Sequence, residues 1–337
     1  MATLASNVLT LADWAKRRDP KGKTGPIVET LSQTNRVLDD MLYKEGNLPT
    51  GERTNIRTGL PAVYYRLMNQ GVPKSKSTTA QITENAAELT ALSEVDRGIA
   101  ELESDVSAFR LSESVAFLES MSQKQAETLF YGSAANPEEY VGLANRYSSL
   151  SGGNAQNILS AGGAGSDNTS VWLVSWGANT IHGVFPKESK AGISHEDGGI
   201  DWAFDSDNNR FKAYIDSYTW KNGLVVKDWR YGVRIPNVDI SDLVGQTGTQ
   251  ALSASTAIIK LMVRSIDRLP MAGSNTAFYV NRTVASHLRL AAMDTSNSVV
   301  TIEAAVNQFG SNIMELKFLG IPVRIVDQLL ETESVVS

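Results

Sequence analysis

A chain of 337 residues with no cysteine and only three histidines (His182, His195, His287) has no disulfide, thiolate or iron–sulfur chemistry, and few candidates for histidine-based catalysis. Its 37 acidic and 31 basic side chains leave a net charge of −6, which argues against non-specific nucleic-acid binding as its main role. At about 100–200 residues per domain, two or three domains are expected. No window nears the ~18 apolar residues of a membrane helix, and the N-terminus lacks a secretory pattern, so no membrane partner is expected.

The first 25 residues carry Lys16, Arg17, Arg18, Lys21 and Lys23 against Asp13 and Asp19. Residues 81–120 hold nine acids against Arg97 and Arg110. Both are ordinary solvated surface by default; in a protein that meets copies of itself they become complementary patches. After Gly25-Pro26, the spacing of Ile27, Leu31, Thr34, Leu38, Met41 and Leu42 predicts a helix. From Gly46 to Thr83 the chain is polar and punctuated by Gly and Pro, with extended segments expected at Glu52–Thr58 and Ala62–Leu67. This β-excursion has too few apolar residues for a core of its own.

Residues 104–131 predict a long helix with a stripe of Leu111, Val115, Leu118 and Met121, rejoined by Ala126 and Leu129 and stopped by Gly132. Asn136-Pro137-Glu138-Glu139 has the signature of a helix start. Ser148–Asn168 is a candidate boundary, rich in Gly, Ser and Asn. Strands are then expected at Val171–Trp176, Thr180–Phe185, Phe211–Trp220 and Leu224–Ile235, the last two flanking an Asn222-Gly223 hairpin signal. Helices follow at Ala254–Leu269 and Thr283–Ala292. Further strands are expected at Phe278–Val280, Ile313–Phe318 and Val323–Val326, the last pair turning about Gly320-Ile321-Pro322.

Candidate chemistry is thin. Gly22-Lys23-Thr24 lacks the upstream glycine of a phosphate loop, where Arg17 stands. Asp205-x-Asp207-x-Asn209 opens like an EF-hand loop, but Arg210 replaces its glycine and Asp216 its glutamate, so a polar turn is expected. Gly162-Gly163-Ala164-Gly165 reads as a flexible linker and His195-Glu196-Asp197 as an exposed loop. No metal, cofactor or catalytic residue is expected. Five of six tryptophans fall between 172 and 229, which keeps a carbohydrate-active enzyme as a remote alternative.

Three runs, in their order along the chain, carry a resemblance. One is Asn47-Leu48-Pro49-Thr50-Gly51 leading to Gly59-Leu60-Pro61 and Tyr64-Tyr65-Arg66-Leu67. The second is Lys227-Asp228-Trp229-Arg230-Tyr231; the third is Phe278-Tyr279-Val280-Asn281-Arg282 with Gly320-Ile321-Pro322-Val323. Together with the basic arm, the polar excursion and the long helix, they resemble the major capsid proteins of tailed, in particular short-tailed, bacteriophages of the Hong Kong-type capsid fold. The resemblance implies an α+β chain. Its parts would be an N-terminal arm and helix (1–46), an extended β-hairpin loop (47–84), a peripheral domain with a long spine helix (85–165 and 275–337) and an axial domain (166–274). It implies a shell of hexamers and pentamers of this chain, made in the host cytoplasm and forming the virion head around double-stranded DNA. A portal, a separate scaffolding protein and a decoration protein are its expected partners. Inter-subunit contacts are expected at Lys16, Arg17, Arg18, Arg53, Arg57, Tyr64, Tyr65, Arg66, Lys74, Lys76, Glu101 and Glu103. An encapsulin-like compartment shares the fold and is the nearer alternative.

Overall fold

The computed structural model describes residues 31–102, 105–205, 207–244, 249–271, 273, 275–293, 300–306 and 312–337. Two six-stranded sheets organise them. The first runs β1 (Tyr43–Glu45), β5 (Ile181–Phe185), β7 (Arg210–Val226), β3 (Thr78–Asp96), β2 (Gly51–Gly59), with β6 (Ile193–Phe204) also paired to β7. The second runs β10 (Val300–Val306), β11 (Asn312–Phe318), β12 (Ile321–Ile325), β9 (Thr276–Val280), β4 (Asn168–Ser175), β8 (Gly232–Asp239). Helices α1 (Val37–Asp40), α2 (Arg97–Ala100), α3 (Val106–Tyr131) and α4 (Leu143–Arg146) precede β4; α5 (Ile240–Val244), α6 (Thr249–Arg268) and α7 (Arg282–Met293) belong to the second half. The sheets group the strands differently from a linear division at 166 and 274: β5–β7 join the sheet of the hairpin, while β4 and β8 join β9–β12.

Strand β4 is buried along its whole length, because both of its faces meet a core. Val171 and Leu173 pack with Ile258, Met262, Val284 and Leu288 of α6 and α7. Trp172 and Val174 point the other way, into a cluster with Leu129 and Phe130 of α3, Tyr147, Ile181 and Tyr279. A strand covered on both faces reads as a continuous apolar run instead of an alternating one, as Val171–Val174 does. The Asp105 carboxylate caps α3 by accepting from the Ala108 amide at 3.0 Å.

Several expectations are corrected. Asn222-Gly223 makes no turn: β7 runs straight through it, with Asn222 opposite Ala87 and Gly223 opposite Ala86 on one side and Val184 on the other. The glycine serves close approach, since a Cβ there would lie 2.9 Å from the Asn85 carbonyl oxygen. The chain turns later, in a short 3₁₀ segment at Trp229–Tyr231, before β8. The partner of β2 is the 19-residue β3, not Ala62–Leu67, which takes no regular structure. Of the helix expected over 27–42, residues 27–30 lie outside the described residues and the rest forms only α1. Asn136–Glu139 closes as turns, its chain redirected where the Gly142 amide donates to the Gly132 carbonyl at 2.8 Å. Residues 159–163 are no loose linker, for the Leu159, Ala161 and Gly163 amides each donate to β8 carbonyls at 2.9 Å. The β11–β12 turn is Leu319-Gly320, both at positive φ, and Pro322 already sits in β12 opposite Lys317.

The C-terminal segment ties the molecule together. Glu333 is buried and accepts from Arg234 at 2.8 Å, from Tyr131 at 2.5 Å and from the Ser170 hydroxyl, joining α3, β4 and β8. The Arg234 guanidinium also lies 5.2 Å from the Trp172 ring centre. Removing one partner of such a buried pair leaves an uncompensated charge. Glu333→Ala is therefore expected to lower the stability of the unassembled subunit by about 3–5 kcal/mol in denaturant unfolding, and a loss below ~1 kcal/mol would refute this account.

Candidate inter-subunit surface

The β2–β3 hairpin is gripped at its root and bare beyond it. Glu52, 6% exposed, accepts from Lys227 Nζ at 2.7 Å and faces His182 Nε2 at 2.9 Å. Glu84 accepts both guanidinium nitrogens of Arg146, at 2.5 and 2.8 Å. Such bidentate, charge-assisted contacts fix direction as well as position. Two carboxylates on facing strands thus anchor the hairpin to β5, to the segment after β7 and to α4.

Burial works against the Glu52 carboxylate, but the hydrogen bonds from Lys227 and His182 outweigh it and hold its pKa below the ordinary value. For His182, burial wins over the neighbouring carboxylate and lowers its pKa. The contact with Glu52 assigns the ring proton to Nε2, and Nδ1 has no partner among the described residues. A second proton would have to sit on that partnerless nitrogen.

Beyond the root, the hairpin is held by a polar ladder. Thr58 and Thr78 hydroxyls meet at 3.1 Å, Arg53 Nε donates to Thr83 at 3.2 Å, and Gln81 donates to Asn55 at 3.3 Å. Every residue from Leu60 to Thr83 is exposed. The two limbs of the tip touch where the Ser75 hydroxyl donates to the Ala62 carbonyl at 2.7 Å. Leu60, Val63, Tyr65, Leu67 and Met68 are each at least three-quarters exposed. A contiguous apolar strip of this kind on a coreless element marks an interaction site.

On the body of the first sheet, α3 and the β6–β7 strands enclose a cleft of about 630 Å³. Arg110 donates to both Asp216 oxygens, at 2.8 and 3.1 Å, and to Asp197 at 2.6 Å. His195 stacks on Tyr218 and contacts Asp216 at 2.8 Å, so His195–Asp197 is part of a strand and not a loop. The helix stripe departs from expectation only in its first half. Leu111 and Val115 are 67% and 44% exposed, with Phe109 and Ser114 buried there instead, whereas Met121, Ala126 and Leu129 are buried as the stripe predicts. At that end the helix lies over the open cleft.

The structure places Arg53, Arg57, Tyr64, Tyr65, Arg66, Lys74 and Lys76 on the exposed hairpin. Glu101 pairs with Arg97 one turn away at 2.6 Å, and Lys16, Arg17, Arg18 and Glu103 lie outside the described residues. No sequence signal marked Glu52, Glu84, His182, Arg146 and Lys227 as partners of one another, because their pairing joins segments 62 to 175 positions apart in the chain. Trp172 and Trp176 are core side chains, the ordinary reading of tryptophans on strands and not a glycan platform.

Residues 19–337 match the model of the family described as major capsid protein GP7. The chain belongs to this major capsid protein family. A chain from the cryo-EM structure of bacteriophage Epsilon15 is 31% identical, with 100% of this chain and 99% of that one covered at a TM-score of 0.75. Looser likenesses extend to the bacteriophage JBD30 capsid (10% identity, 89% and 93% covered, TM-score 0.46) and to the SrpI encapsulin complex of Synechococcus elongatus (11%, 68% and 96%, TM-score 0.41). No curated protein matches in sequence. The α+β architecture is thus the Hong Kong-type capsid fold, and this capsid protein builds the icosahedral head shell of a phage virion from copies of itself. No helix among the described residues is long and apolar enough to cross a membrane.

The root of the hairpin gives the subunit a pH dependence. Below the ordinary histidine value of 6.5, the unfolded chain takes up a proton that folded His182 resists, so stability falls as pH drops. Glu52, held below its ordinary 4.5, adds a second loss in stronger acid. His287, lowered by burial, acts in the same direction as His182. Unfolding free energy measured from pH 7 to 5 is expected to decline, and His182→Gln to flatten that decline; an unchanged slope in the variant would contradict the assignment.

Proposed function

We propose that the exposed hairpin, and within it residues 60–77, lies across a neighbouring subunit and locks the capsid shell. The observation that carries this reading is the contiguous exposure of Leu60–Thr83, apolar at the tip and charge-anchored at the root. Fully burying a side chain such as Leu, Val or Met contributes about 1.5–3 kcal/mol, so covering the five most exposed apolar residues of the tip supplies on the order of 10 kcal/mol before the cost of association. Repetition around a closed shell multiplies even modest contacts.

The remaining assignments extend the same proposal. The first sheet with α3 takes the peripheral role and the second sheet with α6 and α7 the axial role, a division supported by the strand grouping. The shell assembles from hexamers and pentamers in the host cytoplasm, around a separate scaffolding protein and a portal. It then encloses double-stranded DNA and is open to a decoration protein outside. A net charge of −6 suits a wall that must not clamp a polyanion. The basic arm, with Lys16, Arg17 and Arg18, faces either DNA or an acidic neighbour.

The test leaves the anchors in place. Replacing residues 60–77 with a short Gly-Ser turn, while retaining Glu52 and Glu84, is expected to preserve the unfolding transition of the subunit. The same change should abolish megadalton particles in light scattering and electron microscopy. Normal shells from the shortened chain would sink the proposal.

A further inference from the structure

The two ends of the first sheet carry opposite charge. Between Arg53 and Thr83 the hairpin holds five Lys or Arg (Arg53, Arg57, Arg66, Lys74, Lys76), all exposed, and no acid. From Ile193 to Asn209, β6 and the turn after it hold five acids (Glu196, Asp197, Asp201, Asp205, Asp207) and no Lys or Arg. Among the described residues only Asp197 is taken up by a cation, Arg110 at 2.6 Å.

Strand β6 is also an open edge. It pairs with β7 alone among the described residues and is almost wholly exposed. Ile200, Trp202 and Phe204 are each about half exposed. Cross-strand register sets them beside Tyr214, Lys212 and Arg210, on the face that α3 covers further along. Lys212 lies 5.3 Å from the Trp202 ring centre and Arg210 5.5 Å from that of Phe204, so the nearest cations stack on the aromatic face and do not cancel the acidic edge. A long exposed edge bearing apolar side chains is a template for pairing unless something covers it.

These complementary surfaces cannot meet within one chain. Strand β3 has 19 residues, and at about 3.3 Å per residue it spans roughly 60 Å. The hairpin tip leaves its Thr78 end, whereas the β6–β7 turn lies past its Asp96 end, which pairs with Ala213. Each copy therefore presents a basic apolar projection at one end and an acidic apolar edge at the other. That is a head-to-tail contact, the kind that closes into rings when its rotation closes.

We propose that the outer edge of β6, with its four remaining carboxylates and with Ile200, Trp202 and Phe204, is the seat for the hairpin tip of a second copy. The proposal rests on the hairpin reading above and adds to it which surface of the neighbour receives the tip.

Charge reversal tests the pairing. Two exposed sets are changed in the full chain, Glu196→Lys with Asp201→Lys and Asp207→Lys on the edge, and Arg57→Glu with Arg66→Glu and Lys74→Glu on the hairpin. Each set alone is expected to lower shell yield about tenfold or more, and the two together to restore most of it. Normal assembly of the edge variant, or no recovery in the combined variant, overturns the proposal. If the edge variant assembles while the 60–77 replacement does not, the hairpin reading stands and its seat lies elsewhere.

The absence of native cysteine permits a second measurement independent of charge. Tyr65→Cys combined with Trp202→Cys, bridged by a bis-maleimide in assembled shells, is expected to give a ladder of linked chains. Tyr65→Cys with Lys260→Cys, placed on α6 of the other sheet, is expected to give none. A ladder from the second pair and not the first would overturn the assignment.

Discussion

Glu52 is almost out of contact with water, and a carboxylate is tolerated there only where charge and hydrogen bonds compensate the lost solvation. Lys227 and His182 supply that compensation from the strand system of the body. The hairpin can therefore leave the sheet in a fixed direction even though it buries almost nothing of itself. With Glu84 clamped to Arg146 on the facing strand, twisting at the root would break charge-assisted bonds on both sides. A flexible tether would surrender much of the contact energy at its tip to the entropy of ordering, and this root has already met that cost in folding.

The body is built to hold such a lever. Strand β4 is covered on both faces, by α6 and α7 on one side and by the aromatic cluster under α3 on the other, and the second of these clusters joins it to Ile181 and Leu224 of the first sheet. The Arg234–Glu333 pair and the C-terminal residues lacing to Asn237 close the interior at its edge. Rigidity here and exposure at the hairpin are complementary demands. The subunit is closed in its centre and open at both ends of its first sheet, where apolar side chains and opposite charges are exposed.

Much of the local structure was legible in the residues. The stop at Gly132 bounds α3, the helical spacing through Ile258 and Met262 marks α6, and the apolar run after Asn168 marks β4. At the first turns of α3 the stripe differs from expectation because Leu111 lines an open cleft and Val115 is exposed, and hydrophobic spacing cannot tell a buried position from an exposed one. Asn222-Gly223 misled for a related reason. The same dipeptide that permits a tight turn also permits close strand packing, and only its neighbours, Ala86, Ala87 and Val184, decide between the two.

The sequence by itself determined that this chain has little reactive chemistry, that it alternates helical and extended segments in a capsid-like order, and that its residues 46–83 cannot form a core. These are properties of composition and of short-range periodicity, which each segment carries with it. The tertiary structure alone decided which strands share a sheet, where the charges of the hairpin root find partners, and that the basic and acidic surfaces lie at opposite ends of β3. Those facts depend on pairings between distant segments. Their energies come from desolvation and register across the fold, and neither is written in the spacing of neighbouring residues.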